Sequence, residues 1–331
     1  YYETLPANRL NLGLWLEADR MRSLVITEEK FENQRETVKE ERRQGIDNQP
    51  YGEAFLVSDT LCFDWLPYSH TVIGKMVDLD AAEVSDVQAF FDNYYSPNNA
   101  VLVVVGDIDY KKTMKMVEEY FGAIPRGADV EPLTGVEPPL DGERRKKIDD
   151  PNANVPAVFA AYTIPNSVHE DMPALELLGK ILTDGESSRM YRRLVKEEAA
   201  AVVVFGGVDV RKGPGLFRFI TAANVGVDIE KCESWMFEEI EKVKTDGISA
   251  AELDKAKVQF KADFVMGRET VLNKAEEIHR YVYFSRDLSE NNTDIENYMS
   301  VTLEDIIRVA NTYLVDTNRT DVIEVHASKE G

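Results

Sequence analysis

The stretch Val84-Ser-Asp-Val-Gln-Ala-Phe-Phe-Asp-Asn-Tyr-Tyr-Ser-Pro-Asn-Asn-Ala-Val-Leu-Val-Val-Val105 decides the fold, because a helix, a break and a strand follow one another within it. The spacing of apolar residues predicts a helix from Ser85 to Tyr95, and the Ser-Pro-Asn-Asn turn that follows ends it. The run from Ala100 to Val105 is short and β-branched, which predicts a buried strand.

A second copy of this pattern begins at Leu303, at an offset of 219. The segment Ile26–Phe31 is likewise similar to Ile248–Leu253 at an offset of 222, and the second residue of each is a hydroxyl N-cap, Thr27 or Ser249. Because the two offsets are nearly equal, they indicate a duplicated domain. The alternative is chance similarity between two amphipathic helices that are each followed by a strand. The pairs at the offset of 219 are Val84 and Leu303, Val87 and Ile306, Tyr94 and Tyr313, Asn99 and Asn318, and Val103 and Val322.

The rest of the chain alternates helices with hairpin-style strands, which predicts an α+β fold. Strands are expected at residues 155–163, 202–208, 216–223 and 322–325. We therefore expect two similar domains, each a mainly antiparallel sheet with helices packed on one face. Proline and glycine punctuate residues 125–142, which predicts a linker between an N-terminal domain (1–124) and a C-terminal domain (143–331).

Composition excludes several classes of function. The 331 residues include 38 Lys+Arg and 60 Asp+Glu, so the net charge is −22. No basic run is longer than Arg144–Lys147, so we expect no nucleic-acid partner. The longest apolar run, Ala199–Phe205, is far shorter than the about 20 residues of a membrane span. Cys62 and Cys232 form no motif and are predicted to be buried free thiols.

The histidines give no metal or triad motif. His70, His169, His279 and His326 are widely separated in the sequence, and zinc sites or catalytic triads need several such groups to converge. The chain also has no phosphate-binding loop and no GxSxG elbow. Nucleotide binding and serine hydrolysis are therefore not indicated.

A carboxylate on the helix predicted at residues 27–45 is the main candidate site residue. Stepping by three or four residues, one stripe of this helix contains Phe31, Gln34, Val38 and Glu41. A carboxylate on a core-facing stripe is costly unless it is paired, hydrogen-bonded or bound to a metal. The alternatives are that Glu41 lies at the edge of the stripe, or that it pairs with one of the arginines at positions 42 and 43.

This helix, together with Asn48-Gln-Pro-Tyr-Gly52, resembles the segment that carries the third zinc ligand in the pitrilysin/insulinase family of zinc metallopeptidases. That family has an inverted His-x-x-Glu-His motif and includes the mitochondrial processing peptidases and small bacterial relatives. The resemblance covers essentially the whole chain. Its supporting stretches are Tyr94–Ala100, Val105–Asp107, Gly142–Arg145, Asp150-Pro151, Ala161-Tyr162, Leu177-Leu178 and Ser188–Leu194.

The resemblance implies that Glu41 is a zinc ligand and that Gln34 orients it by hydrogen bonding. The His-x-x-Glu-His helix, with two ligands and the general base, is expected about three dozen residues before Tyr1. We therefore expect no catalytic residue in this chain, an N-terminal domain that lacks its start, and no zinc held by the chain alone, because a catalytic zinc needs about three protein ligands.

Active members of the family often carry an Arg and, seven residues later, a Tyr that bind the substrate backbone. The matching positions here are Val195 and Val202, which cannot donate hydrogen bonds. The chain thus resembles the metal-bearing subunit of a heterodimer whose homologous partner brings the Arg/Tyr pair; a homodimer is the other option. By resemblance, its compartment is the periplasm or cell envelope.

The function expected is zinc-dependent endopeptidase action on unfolded peptides, within the clam-like fold of the family. The alternative is a catalytically inactive family member that acts as a structural or assembly subunit. A third option is an acidic module that binds peptides without hydrolysing them.

Overall fold

The computed structural model describes residues 1–65, 67–284 and 286–326, without the side chains of residues 290, 292 and 323–326. The described helices are α1 (Leu10–Ser23), α2 (Glu28–Arg42), α3 (Gly52–Cys62), α4 (Met76–Ala81), α5 (Val84–Tyr94), α6 (Tyr110–Phe121), α7 (Met172–Thr183), α8 (Ile229–Thr245), α9 (Ala250–Met266), α10 (Val271–Tyr283), α11 (Ile295–Ser300) and α12 (Leu303–Tyr313). The strands are β1 (Arg144–Asp150), β2 (Ala157–Ile164), β3 (Ala201–Asp209), β4 (Gly215–Ala223) and β5 (Arg319–His326).

Contacts divide the chain into two compact units. The first contains Tyr1–Glu40, Gly74–Thr134 and Val265–Tyr283, and the second contains Glu41–Ile73, Gly135–Phe264 and Phe284–Gly331. These units follow contacts rather than chain order, so the domain boundaries at 1–124, 125–142 and 143–331 stay a prediction.

The second unit is built on a five-stranded sheet with the order β1-β5-β2-β4-β3. Its β1–β5 pair is parallel, and the other three pairs are antiparallel. The prediction of an α+β fold with a mainly antiparallel sheet is therefore confirmed. The hairpin predicted from residues 202–208 and 216–223 forms as β3 and β4, with Asp209 opposite Leu216 beside the turn.

Helices α7, α8 and α12 pack on one face of this sheet. In α7 the residues Leu175, Leu178 and Leu182 are fully buried and recur at helical spacing, so they form one apolar stripe. Each such leucine stabilises the fold by about 2 kcal/mol through burial. Helix α3 packs on the other face, where Ala54 contacts the apolar side chains of the sheet. The predicted packing of helices on one face of the sheet therefore holds for α7, α8 and α12, whereas α3 covers the opposite face.

The first unit is held together largely by helix-to-helix contacts. Helix α1 packs against α6. The Arg35 guanidinium donates to the Ala82 carbonyl at 3.1 Å, and Lys39 pairs with Asp80 at 2.8 Å, so α2 is tied to the end of α4. Helix α5 contains no buried residue, although its predicted helical pattern is correct.

The buried strand predicted at Ala100–Val105 is absent from the described structure. These residues are assigned to no strand, and Val101 and Leu102 are 49% and 45% exposed. A strand needs a hydrogen-bonded neighbour, and none of the described segments pairs with this one. The prediction is therefore wrong for the described residues, because burial of an apolar run depends on a partner that the run itself does not supply.

Both cysteines are buried free thiols, as predicted. Burial raises the pKa of the Cys62 thiol to about 12 and that of Cys232 to about 11, so neither is a reactive thiolate at neutral pH. Among the described helices, none combines the length and hydrophobicity that crossing a bilayer requires.

Candidate functional site

Helix α2 carries the predicted metal ligand in its last turn. The Thr27 hydroxyl accepts a hydrogen bond from the Lys30 amide at 3.3 Å, so the predicted N-cap is confirmed. Phe31 is the one buried residue of α2, whereas Gln34 and Glu41 are exposed. The expectation that Glu41 faces the core is therefore wrong for the described residues, because the stripe is buried at Phe31 and half-buried at Val38 but exposed at Gln34 and Glu41.

The Glu41 carboxylate is open to solvent. Within the described part of the chain it makes neither a hydrogen bond nor an ion pair. Arg42, one of its alternative partners, pairs with Asp47 at 3.3 Å. The helix then continues as a π-helical turn from Arg43 to Asp47, a feature that is frequent at functional sites. Glu41 is thus a free carboxylate at the end of a well-formed helix.

Gln34 is not joined to Glu41 by a hydrogen bond among the described contacts. The two residues are seven positions apart, which places them about 10 Å from each other along the helix axis. A single side-chain amide does not span that distance, so an orienting role for Gln34 needs an intermediate group. Its role and that of Glu41 stay predictions.

The described residues do not form a metal site by themselves. No group of three or more His, Cys, Asp or Glu side chains converges within them. His70, His169 and His279 are not brought together, and the side chain of His326 lies outside the described residues. Glu41 supplies one oxygen donor where a catalytic zinc needs about three protein ligands. Zinc therefore does not fit this set of described residues alone.

The internal repeat shows which residue corresponds to Glu41 in the second copy and what that residue contacts. Helices α2 and α9 correspond at the offset of 222, and both have a hydroxyl N-cap that accepts from the third helical amide at 3.3 Å. The residue that corresponds to Glu41 is Asp263, whose carboxylate pairs with Lys180 of α7 at 2.6 Å. A carboxylate at this helix position therefore lies beside the helix that follows the second strand of its sheet.

The two valines at the family's substrate-binding positions lie in different environments. Val195 is half-buried in a π-helical segment, Tyr191–Glu197, and packs against the main core. Val202 is 52% exposed and lies where the register of β3 and β4 shifts between Ala201 and Val203. Neither side chain has a hydrogen-bond donor, so this chain presents no Arg/Tyr pair at these positions.

Strand β3 is an uncharged edge of the sheet. Among the described strands it pairs with β4 alone, and no charged residue occurs between Ala201 and Val208. Val203 and Phe205 are 40% and 44% exposed. The opposite edge, β1, carries the basic run from Arg144 to Lys147, which discourages further pairing. The strand at β3 was predicted from the sequence. Its position at the edge of the sheet was not, because that position depends on the strand order.

A partly buried ionic cluster joins β1, β5 and α8, and none of the sequence predictions included it. Arg145 forms a bidentate pair with Glu233 at 2.6 and 2.7 Å, and Arg319 donates to Asp321 at 2.8 Å. Asp321 is fully buried, and burial raises the pKa of its carboxyl to about 7 despite the attraction of Arg319. Its contacts join three elements of one sheet-and-helix layer, so its role is structural. The charged residues that alternate with uncharged ones in β5 were the sequence signal that could have indicated this cluster.

Comparison with known proteins identifies the family. A family model described as "Peptidase M16 inactive domain" matches residues 81–260. The zinc protease PqqE of Helicobacter pylori is 30% identical over 325 residues, which are 97% of this chain and 72% of that protein. A mitochondrial-processing peptidase β subunit from Blastocladiella emersonii is 22% identical over 96% of this chain and 68% of its own length.

A solved structure has the same fold. The crystal structure of a protease from Helicobacter pylori superposes with a TM-score of 0.92 at 30% identity, and the match covers 97% of this chain and 78% of that one. These relatives therefore contain residues for which this chain has no counterpart. The resemblance to the pitrilysin/insulinase family is confirmed: the chain belongs to the M16 family of peptidases.

Proposed function

We propose that this chain belongs to the metal-bearing subunit of a zinc-dependent endopeptidase that cleaves unfolded peptides, and that Glu41 is one of its zinc ligands. The observation that carries the proposal is the pair of Asp263 with Lys180. By the repeat, a helix equivalent to α7 would lie beside Glu41. The free Glu41 carboxylate is available to a metal whose other ligands come from that helix, outside the described residues.

Bound zinc would polarise a peptide carbonyl and lower the pKa of its bound water to about 7. The contribution of this chain is to hold the Glu41 carboxylate at the end of α2. That helix is anchored by its N-cap and by the Lys39–Asp80 pair, so the backbone that carries the carboxylate is positioned before any ligand arrives. Glu41 acts as a ligand and not as the general base.

An unfolded peptide fits the uncharged edge at β3. A peptide that adds as a further strand binds mainly through its backbone, which suits a peptidase with broad sequence tolerance. The exposed side chains of Val203 and Phe205 offer apolar contacts to alternate residues of such a strand. The net charge of −22 favours basic peptides, although salt screens exposed charges within about 8 Å.

The partner proposed is a homologous subunit that brings the Arg/Tyr pair. Val195 and Val202 cannot bind the substrate backbone by donating hydrogen bonds, so a partner must supply those donors. A heterodimer satisfies this need, whereas a homodimer would repeat the same two valines. The compartment that we propose is the periplasm or cell envelope.

A second candidate function is that of a catalytically inactive structural or assembly subunit. The description of the matching family model as an inactive domain and the two valines favour it. A peptide-binding module without hydrolysis would use the same β3 edge but would not need Glu41.

Cleavage by the complete gene product, co-expressed with its Arg/Tyr-bearing homologue, separates these functions. The test compares wild type, Glu41→Gln and the neighbouring Glu40→Gln on an unfolded fluorogenic peptide. The peptidase proposal predicts loss of cleavage in Glu41→Gln alone. Equal cleavage by all three proteins excludes Glu41 as a ligand, and no cleavage by wild type supports the structural role.

A further inference from the structure

The chain that follows Glu41 and Arg42 leaves the regular helix. Residues Arg43–Asp47 form a π-helical turn, and α3 begins shortly after it, at Gly52. The first residue of α3 lies against this turn, because a Cβ on Gly52 would be 2.2 Å from the Ile46 carbonyl oxygen. The π-helical turn and the N-terminus of α3 are therefore in direct contact, with no room for a side chain at position 52.

Tyr51, directly before α3, has a strained backbone. Its φ is 64° and its ψ is 8°, which is the left-handed region that bulky L-residues rarely occupy. Among the described residues other than glycine, Ala199 is the one other with a positive φ. Glycine would adopt this conformation at lower cost, so a tyrosine at this position needs contacts that hold it there.

Three hydrogen bonds join Tyr51 and the π-helical turn to the end of β1 and the connection that follows it. The Tyr51 amide donates to the Asp150 carboxylate, and the Tyr51 hydroxyl donates to the Val155 carbonyl, each at 2.7 Å. The Asn152 side-chain amide donates to the Asp47 carbonyl at 3.4 Å. The backbone and the side chain of Tyr51 are thus bound to the same connection, which offsets the backbone strain.

The Asp150 carboxylate lies at the centre of these contacts. Its side chain is buried, and its second oxygen accepts from the Asn152 amide at 2.7 Å. A buried carboxylate needs hydrogen-bond donors. Here one oxygen binds the connection after β1 while the other binds Tyr51. Asp150 therefore joins the sheet of the second unit to the segment that follows Glu41, and both belong to that unit.

The second copy of the repeat lacks these features. There α9 ends at Met266 and α10 begins at Val271, and residues 267–270, all of them described, form no π-helical turn. None of these four residues other than glycine has a positive φ. The carboxylate that corresponds to Glu41, Asp263, pairs instead with Lys180. The strained connection thus occurs in the copy whose carboxylate is free among the described contacts, and not in the copy whose carboxylate is held by an ion pair.

We propose that Tyr51 and Asp150 are positioning residues for Glu41, an inference that rests on the proposed role of Glu41 as a metal ligand. The backbone alone directs an exposed side chain that has no described partner. The backbone after Glu41 enters a segment that Tyr51 and Asp150 hold against the sheet. Neither of them is a ligand. They fix the direction in which α2 ends, so less conformational freedom is lost when the carboxylate is bound.

The zinc affinity of the complete gene product tests this inference without an activity assay. Tyr51→Phe removes the hydroxyl bond to Val155, and Gly52→Ala pushes the π-helical turn away through the Ile46 carbonyl. We expect each variant to raise the Kd for zinc by about tenfold or more, because groups that orient metal ligands typically contribute that much to affinity.

Two matched controls distinguish positioning from a general loss of stability. Tyr313→Phe also removes a hydroxyl bond, of 2.6 Å to Asp171, and Gly45→Ala adds a Cβ that meets nothing within 4 Å. Both should bind zinc with the wild-type Kd. An equal rise in Kd for Tyr51→Phe and Tyr313→Phe would overturn the inference.

Hydrogen exchange in the metal-free protein gives a second readout. The Asn48 and Gln49 amides donate to the carbonyls of Arg43 and Ile46 at 2.8 and 3.0 Å, so their exchange reports on the π-helical turn. We expect Tyr51→Phe to accelerate exchange at both amides by about tenfold through local opening, while the amides of β4 keep their wild-type rates. Wild-type exchange at Asn48 and Gln49 would overturn the inference, because the turn would then not depend on Tyr51.

Glu41→Gln, measured beside these variants, separates the inference from the proposed function. An unchanged Kd in Tyr51→Phe and Gly52→Ala, together with loss of zinc in Glu41→Gln, would overturn the inference and leave the proposed function standing. Retention of zinc by Glu41→Gln would overturn the proposed function, and with it the positioning role of Tyr51 and Asp150.

Discussion

The ion pair between Arg189 and Glu252 gives a pH-dependent prediction with a worked magnitude. The Glu252 carboxylate accepts from Arg189 at 2.6 and 3.0 Å, and from the amide and hydroxyl of Ser249, each at 2.8 Å. Arg189 also donates to the Gly247 carbonyl at 3.0 Å. These contacts fix the turn after α7 to the start of α9.

The Arg189 guanidinium, together with the Ser249 donors, lowers the pKa of Glu252 from 4.5 to about 2. A shift of that size corresponds to roughly 3.4 kcal/mol, at about 1.36 kcal/mol per pH unit. Because the side chain is 32% exposed, solvent screens the interaction, and about 1.5 kcal/mol is the expected contribution to stability.

The direction of the pH dependence follows because the pKa of Glu252 is lower in the folded state than in the unfolded state. The stabilisation is fully present above about pH 4.5 and is lost as the pH falls towards 2. Glu252→Gln should therefore lower the free energy of unfolding by about 1.5 kcal/mol at pH 7, and the difference from wild type should shrink between pH 4.5 and 3. Urea unfolding followed by circular dichroism measures both.

Glu241→Gln is the matched control, because this exposed carboxylate pairs with Lys244 one helical turn away. Its expected effect is about 0.5 kcal/mol or less. A Glu252→Gln difference no larger than that of this control at pH 7, or one that stays constant down to pH 3, would show that the pair with Arg189 does not stabilise the fold.

Three further predictions concern stability. Gly206→Ala should destabilise the fold by about 2 kcal/mol, because the new Cβ would lie 2.2 Å from the Arg218 carbonyl oxygen; Gly45→Ala, which meets nothing within 4 Å, is the control in the same denaturant titration. Asp150→Asn should cost about 2 kcal/mol at pH 7, since the buried carboxylate accepts from the Tyr51 and Asn152 amides at 2.7 Å each, and an unchanged unfolding midpoint would contradict this. The raised pKa of Asp321, caused by burial, predicts stabilisation that is present below about pH 4 and is lost as the pH rises through about 7. Asp321→Asn should remove the resulting fall in stability between about pH 4 and 7, and an equal fall in both proteins would show that the carboxyl ionises normally.

Local sequence patterns predicted the helices and most strands of this chain. The N-caps at Thr27 and Ser249, the turn at Ser96–Asn99 and the β3–β4 hairpin depend on near neighbours, so their signals are short-range. Strand β1 lies at the end of the charged linker, where the sequence pattern predicted no strand. Its basic residues are typical of an edge strand. They stand where alternating apolar residues would have indicated a strand.

Burial at the candidate site was not predictable in the same way. The stripe through Phe31 and Val38 suggested that Glu41 faces the core, but a helix face is buried only where another element covers it. The same limit applies to Ala100–Val105, whose pattern is that of a central strand. Glu41 is exposed, and Ala100–Val105 pairs with no described strand. Local periodicity could therefore indicate a helix or a strand but not the neighbouring elements that would bury it.

The most direct test of the account is the zinc content of the complete gene product, measured by elemental analysis after dialysis against a weak chelator. We predict about one zinc per chain in wild type and in Glu40→Gln, and a loss of most of it in Glu41→Gln, with circular dichroism unchanged in all three. Glu41→Gln with wild-type zinc content, or a wild-type protein that binds no zinc, would contradict the assignment of Glu41 as a metal ligand.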